Sequence, residues 1–201
     1  RRGIEKMCEH RTYPQLIHLT DRMDYLSAHM NNEAVSLCVE NAMQVEVSDR
    51  VKYIRTIFAE LTRIASHQLW WGALGMDVGA LTPFFHAFRE RETINDIMEE
   101  TCGARLTMNY MVPGGVMQDI HPNFQRRVKE FIQLYKSKIH EYDEMVTGNI
   151  IFQNRMKNVG YLSAEDAISY GCSGPTARGS GVSCDIRKYY PYEVYDKVEF
   201  D

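Results

Sequence analysis

Apolar residues recur at helical spacing through most of the chain. Leu16, Leu19, Met23, Leu26 and Met30 step by three and four residues, the repeat of one helix face. With Pro14 placed where a first turn tolerates proline, the pattern predicts one long helix over 12–46. On that reading His18, Arg22, Tyr25 and His29 form a second, polar face of the same helix. Val51, Ile54, Phe58, Leu61 and Ala65 carry a second helix over 49–72, with Ser48 as its N-cap. Two glycines and a proline in "MDVGALTPFF" predict a loop over 76–85. Helical spacing resumes over 86–111, "VPGGV" (112–116) reads as a turn, and a fourth helix runs from Pro122 to about Met145. "SAED" resembles a capping box and places a short helix after Ser163.

The pattern changes at Gly171. The glycine-rich "GCSGPTARGSGVSCD" reads as loop, and the aromatic "RKYYPYEVYDKVEF" after it as loop with room for a short strand. The expectation is therefore a mainly α chain: a bundle of about four long helices with glycine-rich loops and little β. It is read as a single helical core domain over 1–201 that ends in a loop-rich segment, 171–201.

Composition narrows the function classes. A net charge of −4 gives no bulk attraction to nucleic acid, and none is expected as a partner. Twelve tyrosines, 11 methionines and 8 phenylalanines suit a large core or an extended partner surface. The five cysteines are an odd count without a CxxC pair, which argues against a disulfide framework and points to a reducing compartment. No apolar run reaches the roughly 18 residues of a membrane span, and "RRGIEKMCEH" lacks the apolar stretch of a signal peptide. No histidine or cysteine pair stands at ligand spacing, so no metal held by this chain alone is expected.

Four features invite a chemical reading, each weighed against a plainer one. His18, Arg22, Tyr25 and His29 read either as a solvated or register-fixing face or as a set that donates protons to a carbonyl oxygen. Asp77 beside Gly79 reads as a turn residue. Glu60, Arg63 and His67 read as a buried ion pair with a hydrogen-bonded histidine. "GPTARGSG" (174–181) lacks the GK[ST] of a phosphate loop and fits better a backbone that passes close to another subunit.

Six stretches in order then carry a resemblance: "RRGIEK", "DRMDYLS", "IRTIFAELTRIASH", "DVGALTPFFHAFRERE", "CGARLTMNYMVPGGVMQDI" and "RGSGVSCDIRKYYPYEVYDKVEFD". Together they resemble the quinone-site subunit of respiratory complex I, called the 49 kDa subunit in mitochondria and the D subunit of NADH:quinone oxidoreductase in bacteria. The resemblance runs through the whole chain and implies an internal fragment of a longer one. It also implies descent from the [NiFe] hydrogenase large subunit and a fold like that subunit's core. The Arg-x-Cys-x-x-Cys motif of those hydrogenases would place its cysteines at Asp24 and Ser27. Carboxylate and hydroxyl are poor substitutes for thiolates around a soft metal centre.

The resemblance implies a quinone headgroup site where that metal pocket was. Tyr25 matches the tyrosine that donates a hydrogen bond to the quinone. Asp77 matches the aspartate paired with a quinone-site histidine, which would lie upstream of Arg1. Arg2 and Arg22 match the two arginines beside a terminal 4Fe-4S cluster held by a neighbouring subunit. Two positions depart from the pattern. Arg1 stands where the family has histidine, and Thr107 stands where it often has a histidine near the cluster. Threonine does not titrate near neutral pH and histidine does, so the cluster potential is expected to depend less on pH here. His18 and His29 are left structural.

The implied activity is proton-translocating NADH:quinone oxidation, with quinone as substrate and NADH bound elsewhere in the complex. The fragment alone is expected to be inactive. Implied partners are the cluster-carrying quinone-site subunit, neighbouring peripheral-arm subunits and the membrane-arm quinone-channel subunit. The implied location is peripheral, at the cytoplasmic face of the bacterial inner membrane or the matrix side of the mitochondrial one. Two alternatives remain: a related membrane-bound oxidoreductase fed by ferredoxin or coenzyme F420, and a non-catalytic helical scaffold between redox subunits.

Overall fold

A computed structural model describes residues 3–200. The chain is mainly α and divides after Val146 into two compact units. The first unit contains α1 (Ile4–Cys8), α2 (Tyr13–Thr20), α3 (Ala28–Met43), α4 (Asp49–Asp77) and α5 (Thr82–Cys102). A two-stranded ribbon, β1 (Met111–Val112) with β2 (Gly115–Val116), precedes α6 (Phe124–Tyr142), which runs into a π-helical turn at Asp143–Thr147. The four long helices are α3 to α6, of 16, 29, 21 and 19 residues.

The core of this unit lies between α4, α5, α6 and the ribbon. Ile54, Phe58 and Leu61 of α4 meet Ile94, Ile97 and Met98 of α5. Tyr110, Met111, Phe124 and Phe131 close the other side, and Phe58 stacks on Phe124 at a centroid distance of 4.9 Å. Gly72 lets α4 and α5 approach closely, because a Cβ there would stand 3.0 Å from the Phe84 Cα.

A buried ion pair ties the ribbon to the helices. Arg55 donates to Glu40 Oε1 at 2.6 Å and Oε2 at 3.0 Å, and also to the carbonyls of Val112 (2.9 Å) and Gly115 (3.0 Å). Glu40 Oε1 in turn accepts from the Gly114 N–H at 2.7 Å. The ribbon turn carries Pro113 and then Gly114 at φ 91°, as a type II turn requires.

Several sequence expectations change. The helix expected over 12–46 is broken between Thr20 and Ala28. Asp24 is the cause: its Oδ1 accepts from the Leu26 N–H at 3.2 Å, while its carbonyl accepts from Ser27 N at 3.0 Å and Asn31 Nδ2 at 2.9 Å. Short side-chain bonds of this kind compete with the helical ladder, and a 3.6-residue pattern does not register them. The loop expected over 76–85 shrinks to 78–81, since α4 continues to Asp77 and α5 starts at Thr82 with Pro83 in its first turn. The helix expected over 86–111 stops at Cys102, where Gly103 at φ 77° ends it. The turn at "VPGGV" and the helix after Ser163 are present, with Ser163 Oγ accepting from the Asp166 N–H at 3.1 Å.

The second unit holds α7 (Ile150–Met156), which the sequence pattern did not reveal, then α8 (Ala164–Ser169), α9 (Gly174–Gly179) and α10 (Ile186–Tyr189). No strand forms among its described residues. Within "GPTARGSG" the first six residues are helical, opened by a proline in the first turn. In the tail, Arg187 bonds Asp185 at 2.7 Å and lies 4.6 Å from the Phe200 ring centroid.

Candidate functional site

The segment between α2 and α3 is held from below by Asp21. This carboxylate is fully buried and accepts from Asn32 Nδ2 at 2.6 Å and from the Asn109 N–H at 2.9 Å. Burial raises its pKa, against the opposing pull of those bonds. Thr20 completes the knot by donating to Asn32 Oδ1 at 2.9 Å. Asp21 thereby fastens residues 21–27 to the segment leading into the ribbon, and Tyr25 rides on that fastened turn.

Tyr25 is 59% exposed and lines a shallow cleft. Thr62 of α4, Arg91, Asn95 and Met98 of α5, and Arg105 share the cleft with it. The cleft encloses only about 10 Å³, room for about one water and far below the roughly 300–1,000 Å³ usual for small-molecule pockets. A headgroup seated here would need a further wall beyond these residues.

The polar groups around the cleft differ in what they already bind. Arg105 bonds Asp96 at 2.7 Å and Glu99 at 2.8 Å, and also pairs with Glu92; these contacts raise its pKa further. Asn95 donates to the other Glu92 oxygen at 3.1 Å. The Thr62 hydroxyl pairs with His29 Nδ1 at 2.9 Å, and the far ring nitrogen lies 3.7 Å from Cys102 Sγ. Complete burial drives the His29 pKa down to about 3, and burial raises that of the Cys102 thiol. Both are therefore neutral near pH 7. Tyr25 and Arg91 make no hydrogen bond to another described residue, and the enclosed Arg91 Nε is left without a partner. The cleft thus offers hydrogen-bond donors, a phenol and a guanidinium, and would recognise an acceptor oxygen.

The residues singled out from sequence fall as follows. Arg2 lies outside the described residues. Arg22 is exposed and donates to the His18 carbonyl at 2.6 Å. With the helix broken, His18, Arg22, Tyr25 and His29 do not share one helix face: His29 is buried in the core, while the other three are exposed. Thr107 is half-buried between two cleft residues, Leu106 and Met108. Asp77 is the exposed last residue of α4, and its carboxylate pairs with no described residue. It is not among the cleft residues. Thr62, which is, sits 15 positions back on the same helix, about 22 Å along the axis by the helical rise.

Sequence reasoning missed Arg91, and a signal was present. Ala87, Arg91, Ile94 and Met98 step by four, three and four, so a guanidinium stands on the apolar stripe of α5. All four are buried.

The residues do not fit a nickel–iron centre. At the positions of the hydrogenase thiolates, Asp24 spends its carboxylate on the Leu26 N–H and Ser27 is a buried hydroxyl. Among the described residues no group of three or more His, Cys, Asp or Glu could hold a metal ion, and the five cysteines are free and scattered.

Fold and site together define a helical unit with two hydrogen-bond donors, Tyr25 and Arg91, that have no described acceptor at one cleft. Comparison with known proteins narrows this. Residues 77–201 match the family model described as the respiratory-chain NADH dehydrogenase 49 kDa subunit. The NADH-quinone oxidoreductase C/D subunit of Bacteroides thetaiotaomicron is 64% identical over 199 residues, covering 99% of this chain and 38% of that protein. The C/D subunit of Bacteroides fragilis is 60% identical, with the same coverage. The D subunit of the Bacillus anthracis enzyme is 49% identical over 200 residues, all of this chain and 55% of that protein. This chain belongs to the family of the 49 kDa subunit of respiratory-chain NADH dehydrogenase. It spans between 38% and 55% of the length of these relatives.

Proposed function

We propose that this chain is part of a subunit of proton-translocating NADH:quinone oxidoreductase and forms one wall of its quinone-reduction site. The observation that carries the reading is the exposed, unpartnered Tyr25 phenol on a turn anchored by buried Asp21, in a chain of this family. A phenol held this way can donate a hydrogen bond to a quinone carbonyl and then a proton as quinol forms. Asp77, exposed and without a described partner, is free to orient a histidine supplied from upstream of Arg1.

Electrons arrive from a 4Fe-4S cluster that a neighbouring subunit holds, with Arg2, Arg22 and Thr107 setting its surroundings. Positive charge there favours the reduced cluster. NADH binds elsewhere in the complex, and the subunit lies peripherally on the membrane against the quinone-channel subunit. No helix among the described residues is long and apolar enough to cross the membrane.

The test is quinone reduction by membranes that carry the assembled complex with Tyr25→Phe, beside an EPR check of the cluster. Quinone reduction should collapse while the cluster still reduces normally. Unchanged turnover would make the tyrosine packing and favour a scaffold role.

A further inference from the structure

The two arginines of the cleft are in opposite electrostatic situations. Arg105 is half-exposed and holds three carboxylates. Arg91 is 8% exposed and holds none. The carboxylate next to it in sequence, Glu92, is already committed to Arg105 and Asn95. Among the described residues, Arg91 is compensated by the electrostatic pull of Glu92 without an ion pair and by the Phe88 ring, 5.5 Å from the guanidinium carbon, and a ring face is a weak substitute for a paired anion. Burial pulls its pKa below the ordinary guanidinium value, Glu92 pulls it up, and Arg105 adds to the lowering. A buried charge without a partner is costly, so a group not among the described residues should meet it.

We propose that Arg91 is a ligand-binding residue: its guanidinium receives an electron-rich oxygen of the quinone that docks against Tyr25. The inference rests on the quinone-site reading and deepens it, since it assigns a second donor in the same cleft. Three observations support a ligand oxygen as the partner. Arg91 lines the same cleft as Tyr25. The carboxylates of Glu92, Asp96 and Glu99, on the same helix as Arg91, are engaged with Arg105. Arg91 and Tyr25 are the two cleft donors with no described acceptor. A planar guanidinium forks two N–H groups at one oxygen or two neighbouring ones, which suits a carbonyl flanked by an oxygen substituent.

The experiment uses membranes with the assembled complex carrying Arg91→Gln, Arg91→Lys or Tyr25→Phe, titrated with a short-chain benzoquinone. EPR of the cluster and reduction of ferricyanide check integrity. Arg91→Gln should raise KM at least about tenfold, the scale of one charge-assisted hydrogen bond, with kcat changed much less, as for lost ground-state binding. Arg91→Lys should fall between, because it keeps the charge and loses the fork. An unchanged KM in Arg91→Gln with an intact cluster would overturn the proposal and assign the partner to protein. Should Arg91→Gln fail to assemble, Arg91→Lys decides, and an unchanged KM there overturns it equally. A collapse in Tyr25→Phe with no effect at Arg91 sinks this inference alone. A raised KM at Arg91 with a normal Tyr25→Phe upholds it and sinks the tyrosine's role.

Discussion

Replacing Glu40 with glutamine should destabilise the first unit severely, for reasons that can be worked from its contacts. Side-chain exposure is 0% for Arg55 and 4% for Glu40. Glu40→Gln keeps the shape but leaves the guanidinium buried without its counter-charge, a loss of about 3–5 kcal/mol. With a urea m-value of about 2 kcal/mol per molar, the unfolding midpoint should fall by about 1.5–2.5 M. The double variant Glu40→Leu/Arg55→Met separates charge from splinting. Removing both charges releases their desolvation cost and is often neutral or stabilising. Here it also strips bonds from the Val112 and Gly115 carbonyls and the Gly114 N–H, at about 1 kcal/mol each. The double variant should therefore recover part of the loss and remain below wild type. Urea unfolding of the whole protein that contains this chain, followed by far-UV circular dichroism, reads both. A midpoint shift below about 0.5 M in Glu40→Gln, roughly 1 kcal/mol, would refute the reasoning. So would a double variant as stable as wild type, because the ribbon would then not depend on the pair.

Two further outcomes are expected. His29 has a folded-state pKa of about 3 against about 6.5 unfolded, so below pH 6.5 the unfolded chain binds the proton and the folded one does not. Its contribution is intact above pH 6.5 and is lost as pH falls toward 3. Between pH 7 and 5 the loss is about 2 kcal/mol, and pH-dependent unfolding of His29→Gln should lack that part of the slope; an identical slope would mean that His29 protonates in place. At Thr107, an EPR redox titration of the cluster in the assembled complex at two pH values should give a slope well short of the about 59 mV per pH unit of one proton per electron. Thr107→His should steepen it, and a full-proton slope in the wild type would remove the role assigned to this position.

Composition and periodicity by themselves determined that the chain is mainly α. The α4, α5 and α6 stripes are burial patterns of period 3.6, and such a pattern reports the helix that buries it wherever that helix packs. Local turn chemistry was equally readable at Pro113–Gly114 and at Ser163, because those bonds lie within four residues. Tyr25 and Asp77 were named from the wording of their motifs, which says nothing about where the side chains end up.

What only the tertiary structure decided rests on contacts distant in sequence. The break between α2 and α3 is fastened through Asp21 to Asn109, 88 residues away. His29 is a neutral core residue because Thr62 and Cys102, 33 and 73 positions distant, close around it. Arg91 differs from Arg105 in its burial and in which carboxylates it can reach. A charge's partner, and so its chemistry, is set by three-dimensional proximity in a medium of low polarity, and no linear pattern encodes that distance.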